Sequence, residues 1–448
     1  MKRFWLVLLS LGLIMAFSAS AFAVDVKFSG EYYVAGMYVN RVNLNDTGTN
    51  GQSTAFYFQR LRLQTNFVVS PGLELITRAD IMERAWGAPR SNPSKTLDPS
   101  GTSAGTDAEN ENIAFDYAYL QYATPVGLFR AGVLPGGAWG TVFGDSRGPR
   151  NRLYYNSPAL GGFTLVAIIE KNADNSYYAK NLTATQTDKD TDTYYLACAY
   201  ANKMVNVGLL YGFQNNAAGR VDPGGGADKG AKAKLHNIYP YAFVNVGPVK
   251  IQSEVDWTFG KMEYDNGTTA DVDFDSLAGW VDATADFGPV YVGASFAYAR
   301  GDVDPTDNLQ YGAKTGGIDY SPTLIMWNEY TSRWFGALNS TYAPAGFNAG
   351  KGLANAWLYQ GRVGVKPIEK LDIMASLSFA QADKTPDNYV SKDYGYEIDV
   401  TGTYKITNNL SYMLGVGYLL TGDYFKGTNS ANEVANDYLV INKLTLTF

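Results

Sequence analysis

The feature that most constrains this chain is alternation: stretches of about ten residues in which apolar and polar side chains take turns, repeated from residue 26 to the last residue. In FQRLRLQTNF (58–67), Leu61, Leu63, Thr65 and Phe67 share one face of an extended backbone, and Arg60, Arg62, Gln64 and Asn66 share the other. Successive side chains of a strand point to opposite faces, so this is strand periodicity. Between the stretches, short connections alternate with longer segments rich in Asp, Asn and Gly. The short ones are SPG (70–72), TPVG (124–127), PALGG (158–162), ANKM (201–204), GPV (247–249), GPV (288–290), KPIEK (366–370) and TNN (407–409). The spacing predicts strands over 26–40, 55–69, 73–84, 113–124, 127–134, 150–157, 163–171, 192–201, 205–215, 235–246, 249–261, 276–287, 290–300, 355–366, 370–382, 393–406, 409–422 and 438–448. That is about 18 strands, with 16 an open alternative.

The surroundings of such strands follow from composition. Charged residues make up 18% of the chain and mean hydropathy is −0.18. Beyond residue 23 no apolar run reaches the roughly 18 residues that a spanning helix needs. The 33 tyrosines and 47 glycines suit amphipathic strands with interfacial rings. Short turns on one side and long loops on the other are the rhythm of a membrane barrel, and closure lets every backbone donor and acceptor in hydrocarbon find a partner. The expected fold is all-β: a single transmembrane antiparallel β-barrel over 24–448, with short periplasmic turns and long extracellular loops.

The strand phase sorts the wall. With Leu61, Leu63 and Phe67 towards lipid, Arg60 and Arg62 face a water-filled lumen, because an arginine at mid-membrane on the lipid face costs roughly 2–4 kcal/mol. The same rule turns Arg78, Arg84, Arg130, Glu254, Asp256, Asp282, Asp286, Arg362, Glu397 and Asp399 inward. Basic residues concentrate on the second, third and fifth strands and acidic ones on the eleventh, twelfth and sixteenth; in a ring of 18 the eleventh lies across from the second, whereas the sixteenth adjoins the basic side more closely. Such a separation either sets a transverse field across the pore or simply keeps it wet.

The N-terminus MKRFWLVLLSLGLIMAFSASAFA has a basic start, an apolar run and a small-residue site at Ala21-Phe22-Ala23, the pattern of a signal peptide (1–23). Its removal takes the formal charge from −7 to −9, so no basic footprint for nucleic acid exists. The lone cysteine, Cys198, forms no intramolecular disulfide and reads as a small packing residue. His236 is the single histidine, at the outer end of a strand and without a catalytic pattern around it, so no catalytic residue is assigned. The acidic runs at 188–193, 222–230 and 271–275 lack an ordered calcium loop; no metal site and no cofactor is assigned.

The last strand, DYLVINKLTLTF (437–448), places Tyr438, Val440, Leu444, Leu446 and Phe448 on one face. It resembles the assembly signal of Gram-negative outer-membrane barrels, and this resemblance implies recognition of Phe448 by barrel-assembly machinery, with outer-membrane lipid and lipopolysaccharide as surroundings. Residues 394–425, YGYEIDVTGTYKITNNLSYMLGVGYLLTGDYF, resemble the closing hairpin of alginate-export-type and related porins. In many porins the third long connection folds into the lumen. The resemblance implies a constriction role for 135–152, with Trp139, Asp145, Arg147, Arg150 and Arg152 facing the acidic wall. The apolar stretch within 301–354 either plugs the lumen or adds a hairpin. The expected function is an outer-membrane porin for passive diffusion of ions and small hydrophilic solutes, as a monomer or a homotrimer. A substrate-specific channel or exporter for an anionic saccharide, and a barrel scaffold for a periplasmic partner, are the alternatives.

The phase assignment predicts an asymmetry between neighbours. Leu63→Arg lowers the folded fraction in lipid, whereas Gln64→Arg folds and moves ion preference towards anions; refolding into vesicles followed by gel shift and reversal-potential measurements checks both.

Overall fold

The computed structural model describes residues 24–45, 53–87, 113–137, 139–146, 148–175, 189–220, 230–264, 269–302, 308–312, 314–343 and 352–448. The expected signal peptide, 1–23, lies outside them.

Eighteen strands build one sheet: β1 (Asp25–Val39), β2 (Thr54–Ser70), β3 (Leu73–Ala85), β4 (Ile113–Thr124), β5 (Gly127–Pro135), β6 (Pro149–Asn156), β7 (Phe163–Ala173), β8 (Thr191–Ala201), β9 (Val205–Asn216), β10 (Ala231–Val246), β11 (Val249–Tyr264), β12 (Val272–Asp286), β13 (Val290–Ala299), β14 (Ala356–Ile368), β15 (Leu371–Ala382), β16 (Asp393–Lys405), β17 (Leu410–Thr421) and β18 (Asp437–Thr447). Each pairs antiparallel with its sequence neighbours, and β1 pairs with β18 from Glu31↔Thr447 to Val39↔Leu439, closing the barrel. A two-residue segment, Leu309–Gln310, adds a parallel contact to β12 without joining the ring. Eighteen, not sixteen, is therefore the strand number. The eight short connections lie at the end that holds both termini, and the long segments lie at the other.

Side-chain exposure follows the alternation. On β7, β8 and β9, Leu165, Leu196 and Leu209 are more than half exposed on the outer face, while the inward Val166, Ala197 and Leu210 are buried. Cys198 is exposed on that outer face, paired in register with Leu165 and Leu209. His236 also belongs to the outer surface, stacked on Phe259 at 5.2 Å and bonded through Nδ1 to the Tyr211 hydroxyl at 2.8 Å.

The seam depends on the last residue. Gly30 and Phe448 exchange both backbone hydrogen bonds, at 2.8 and 3.1 Å. The Phe448 ring lies over Gly30, where an added Cβ would stand 2.5 Å from the Arg62 carbonyl and 2.8 Å from the ring. Only glycine allows that approach. Replacing Gly30 by Val, or deleting Phe448, is expected to lower the fraction of barrel that resists SDS until heated; undiminished heat-modifiable protein in both variants would show that the seam closes without this contact.

Candidate functional site in the barrel lumen

Two segments leave the rim and enter the barrel. The first connects β5 to β6. Its neck is held by Gly136 N–H donating to Gly148 O at 2.8 Å and Ser146 N–H donating to Gly137 O at 3.2 Å. Its tip reaches strands β9 to β12, up to six places round the ring from β6, a span that only the interior provides. Trp139 Nε1 donates to the Tyr239 carbonyl on β10 at 2.9 Å, and its ring meets Tyr241 edge-on at 5.1 Å. Gly208 makes room for this indole, since a Cβ there would lie 2.9 Å from it. Thr141 donates from both its backbone N–H and its hydroxyl to the Glu254 carboxylate on β11. Phe143 stacks on Trp280 of β12 at 6.2 Å and meets Tyr320 edge-on at 5.2 Å.

The second segment, within 308–343, continues the crossing. Gly317 N–H donates to Phe143 O at 2.5 Å and Asp319 N–H to Asp145 O at 3.1 Å, which clips the two segments together. Beyond the clip, Leu324, Ile325 and Met326 donate three consecutive N–H groups to the Glu397 carboxylate on β16, at 2.9, 2.6 and 2.8 Å. Gly415 and Gly417 on β17 let this stretch lie flat; a Cβ on either would stand 3.1 Å from Leu324. A short helix, α1 (Glu329–Phe335), is capped by the Asn328 side chain accepting from Tyr330 N–H at 2.9 Å. It packs Tyr330 and Trp334 on Phe58, at 5.3 and 5.4 Å. Arg333 forms an ion pair with Glu83 on β3. The apolar stretch of 301–354 thus enters the lumen and adds no hairpin to the wall.

The expected wall residues fall into three groups. Several point inward and are paired. Arg60 lies between Glu31 (3.6 Å) and Glu83 (3.5 Å). Arg62 grips Asp80 with two hydrogen bonds of 2.6 Å, and Arg78 bonds Asp116 while lying 3.7 Å over the Tyr117 ring. Arg362 grips Asp282 at 2.6 and 2.8 Å. Arg130 bonds only the Gln121 amide among the described side chains, at 2.8 Å, and faces the rings of Tyr119 and Tyr154. Charge is therefore compensated between neighbouring strands, and the expected separation into a basic and an acidic half does not hold.

A second group is inward but covered. Glu254, Asp256, Glu397 and Asp399 are 2%, 6%, 0% and 3% exposed, because they receive the inward segments instead of lining open water. No aqueous gap separates the loop from Glu254, and the groups that meet that wall are Thr141, the Gly144 backbone and Lys314 instead of arginines.

The third group departs from the expected placement, and only Arg84 does so through a break in the alternation. Met82 adopts φ 53° and the β2–β3 register shifts beside it, so that Gln59 pairs with Arg84. Gln59 belongs to the outer face, where its Oε1 accepts from Trp86 Nε1. The bulge thus turns Arg84 outward and Glu83 inward. Asp286 sits at the short-turn end, where its carboxylate accepts from Gly288 N–H at 3.0 Å, far from the loop. Arg150 and Arg152 belong to β6 and not to the loop, and both approach Glu170 on β7, at 3.6 and 2.5 Å. Arg147 lies outside the described residues. Trp139 and Asp145 are in the loop, and Asp145 is buried.

The wall reading did not name Glu83, Asp116, Glu170, Lys314 or Arg333; Glu170 is in phase with the inward Val166 and Ile168, so the alternation offered it. On β4 the register with β3 shifts at Asp116, and Asp116 and Tyr117 are both buried. Among the described residues no group of three or more His, Cys, Asp or Glu could hold a metal ion. Asp190 and Asp192 engage Lys171, and Asp271 engages Lys261; most of 222–230 lies outside the described residues.

The crossing leaves a cavity on each side. One, of about 470 Å³, lies against β5–β11 and includes Arg130, Arg152, Tyr195 and Tyr239. The other, of about 360 Å³, lies against β1–β3 and α1 and includes Arg60, Arg62, Arg78 and Lys443.

Comparisons with known proteins agree with this architecture. The chain resembles Pseudomonas aeruginosa OccK9 (OpdG), with a TM-score of 0.54 at 14% identity over 94% of this chain and 99% of that one. It resembles Pseudomonas aeruginosa OccK5 (OpdH), with a TM-score of 0.51 at 10% identity over 95% and 98%. At such identities these likenesses speak to the fold alone. No curated protein matches the chain. The family described as Gram-negative porin matches residues 10–315. A closed 18-stranded barrel with that match across its first two thirds identifies the chain as a member of the Gram-negative porin family, an outer-membrane protein.

Proposed function

We propose that this porin carries ions and small hydrophilic solutes by passive diffusion through two lanes, one on each side of the crossing made by 139–146 and 314–335. The observation that carries this reading is the pair of cavities flanking the crossing, each bordered by arginines and tyrosines inside a closed wall. Charged and hydrogen-bonding groups keep such lanes wet, and the low-dielectric wall around them strengthens the field of each charge.

Which charges a solute meets decides selectivity. Glu254 and Glu397 hold the crossing in place and are at most 2% exposed. The Arg150 and Arg62 side chains keep 46% and 24% of their surface open. Accessible charge in the lumen is thus more basic than the formal charge of −7 implies, and the reading includes a preference for anions. Arg60, Arg62, Arg78, Arg130, Arg150, Arg152 and Lys443 are its carriers, and Trp139 with Thr141 and Phe143 forms the constriction.

Lanes of this size suit neither a polymeric saccharide nor a folded periplasmic partner. The resemblance of 394–425 to alginate-export-type porins therefore stays a secondary reading. Cleavage of 1–23, recognition of Phe448 by assembly machinery, contact with lipid and lipopolysaccharide, and assembly as monomer or trimer accompany the proposal, as does the absence of catalysis.

Two measurements in planar bilayers test it. Excising 139–145 is expected to raise single-channel conductance severalfold if the barrel still assembles, whereas a loop without a constricting role leaves it nearly unchanged. Replacing Glu397 by Leu strands three N–H groups at roughly 1–3 kcal/mol each, so the variant is expected to give larger and noisier currents. Wild-type-like currents from it would place the anchoring of the crossing elsewhere.

A further inference from the structure

Side chains directly opposite each other on neighbouring strands are close enough for like charges to destabilise a sheet. Among the register pairs of the described strands, two side chains of the same charge oppose each other at a single place, Lys234 on β10 and Lys261 on β11. One step further out on the same two strands, Lys232 opposes Glu263, an opposite charge. Both lysines belong to the outer face, since they lie two residues along their strands from His236 and Phe259.

The rows beneath fix their depth. Phe213 and Phe259 flank the His236 ring at 5.4 and 5.2 Å, and the next row is Tyr211, Ile238 and Trp257. Aromatic rings mark the boundary between hydrocarbon and headgroups, so the lysine row stands at headgroup depth. This end of the barrel carries the long segments and faces away from both termini, which makes the headgroups those of the outer leaflet. The carboxylates within the protein do little to offset the facing charges. Lys234 Nζ lies 3.3 Å from Glu263 and Lys261 Nζ 3.2 Å from Asp271, with at least 37% of each of the four side chains open, and Asp273 opposes Lys261 on β12. Ion pairs this exposed contribute little and exchange readily. A phosphate group has the negative charge and the acceptor oxygens to engage both ammonium groups at once.

We infer that Lys234 and Lys261 form a site for the phosphate of an outer-leaflet lipid of the lipopolysaccharide class, with an acyl chain of that lipid laid along Phe259 and Trp257. The inference rests on the outer-membrane placement and not on the two-lane reading, so each can fail without the other.

The test titrates full-length protein, purified in detergent free of phosphorylated lipid, with bisphosphorylated lipid A, with its dephosphorylated form or with inorganic phosphate. The temperature at which the barrel loses its resistance to SDS is read from gel shifts. Bisphosphorylated lipid A is expected to raise that temperature, and the other two probes are not. Lys234→Gln and Lys261→Gln are each expected to raise the lipid A concentration needed about tenfold, the effect of losing one hydrogen bond between charged groups. Without lipid the order reverses: either variant holds to at least the wild-type temperature, because the facing charges are gone. Lys171→Gln removes another outer-face lysine, one held by Asp190 and Asp192, and as the control for general surface charge it keeps the wild-type response. Should Lys261→Gln fail to assemble, Lys234→Gln alone carries the test. Equal protection by dephosphorylated lipid A overturns the phosphate site, and equal protection by inorganic phosphate overturns its assignment to a lipid. Lysine variants that are less stable without lipid and respond to lipid A as the wild type does overturn the inference and leave the pair a structural role.

Discussion

A strand that crosses hydrocarbon leaves no backbone donor or acceptor without a partner, and the pairing of the first strand with the last is what makes this hold here. The β1–β18 ladder runs nine residue pairs from Glu31↔Thr447, and Phe448 continues it by exchanging two hydrogen bonds with Gly30. Without that closure there is no inside. With it, every second side chain faces a space screened from lipid, and charges that the membrane would exclude become affordable along the whole wall.

Within that space, carboxylates do more than balance arginines. Glu397 gathers three successive N–H groups and Glu254 gathers the N–H and hydroxyl of Thr141. An irregular segment inside a barrel needs partners for its own backbone, and an inward carboxylate with two oxygens is an efficient supplier. The acidic wall thus works as the dock for the crossing. The arginines, paired across neighbouring strands but partly open to the lanes, remain as the surface a solute meets.

Strand positions, the number of short turns and the inward phase of Arg60, Arg62, Arg78 and Arg362 were legible because a period of two is imposed on every residue of the wall. The exceptions arise where one residue is added to that period. The bulge at Met82 turns Arg84 out and Glu83 in, and the register shift at Asp116 does the like on β4. A single extra residue has no compositional signature, so the alternation gave no warning at Glu83. The loop was legible as a glycine-rich connection with Trp139, and the strand expected over 150–157 overlapped its assigned range; Pro149 opens β6, which puts Arg150 and Arg152 in the wall. The dock on Glu254 and Glu397 was hidden altogether, since it joins groups more than 70 residues apart through backbone N–H donors that no residue type advertises.

The central claim is that an 18-stranded barrel, wide in itself, is divided by a crossing into two narrow lanes. Polymer exclusion measures this most directly: single-channel conductance is recorded with polyethylene glycols of increasing size on both sides of the bilayer. The account predicts that only the smallest polymers enter and depress conductance, with a cut-off well below that of the same barrel lacking 139–145. Entry of large polymers into the intact protein, at the size an empty 18-stranded barrel admits, would contradict it.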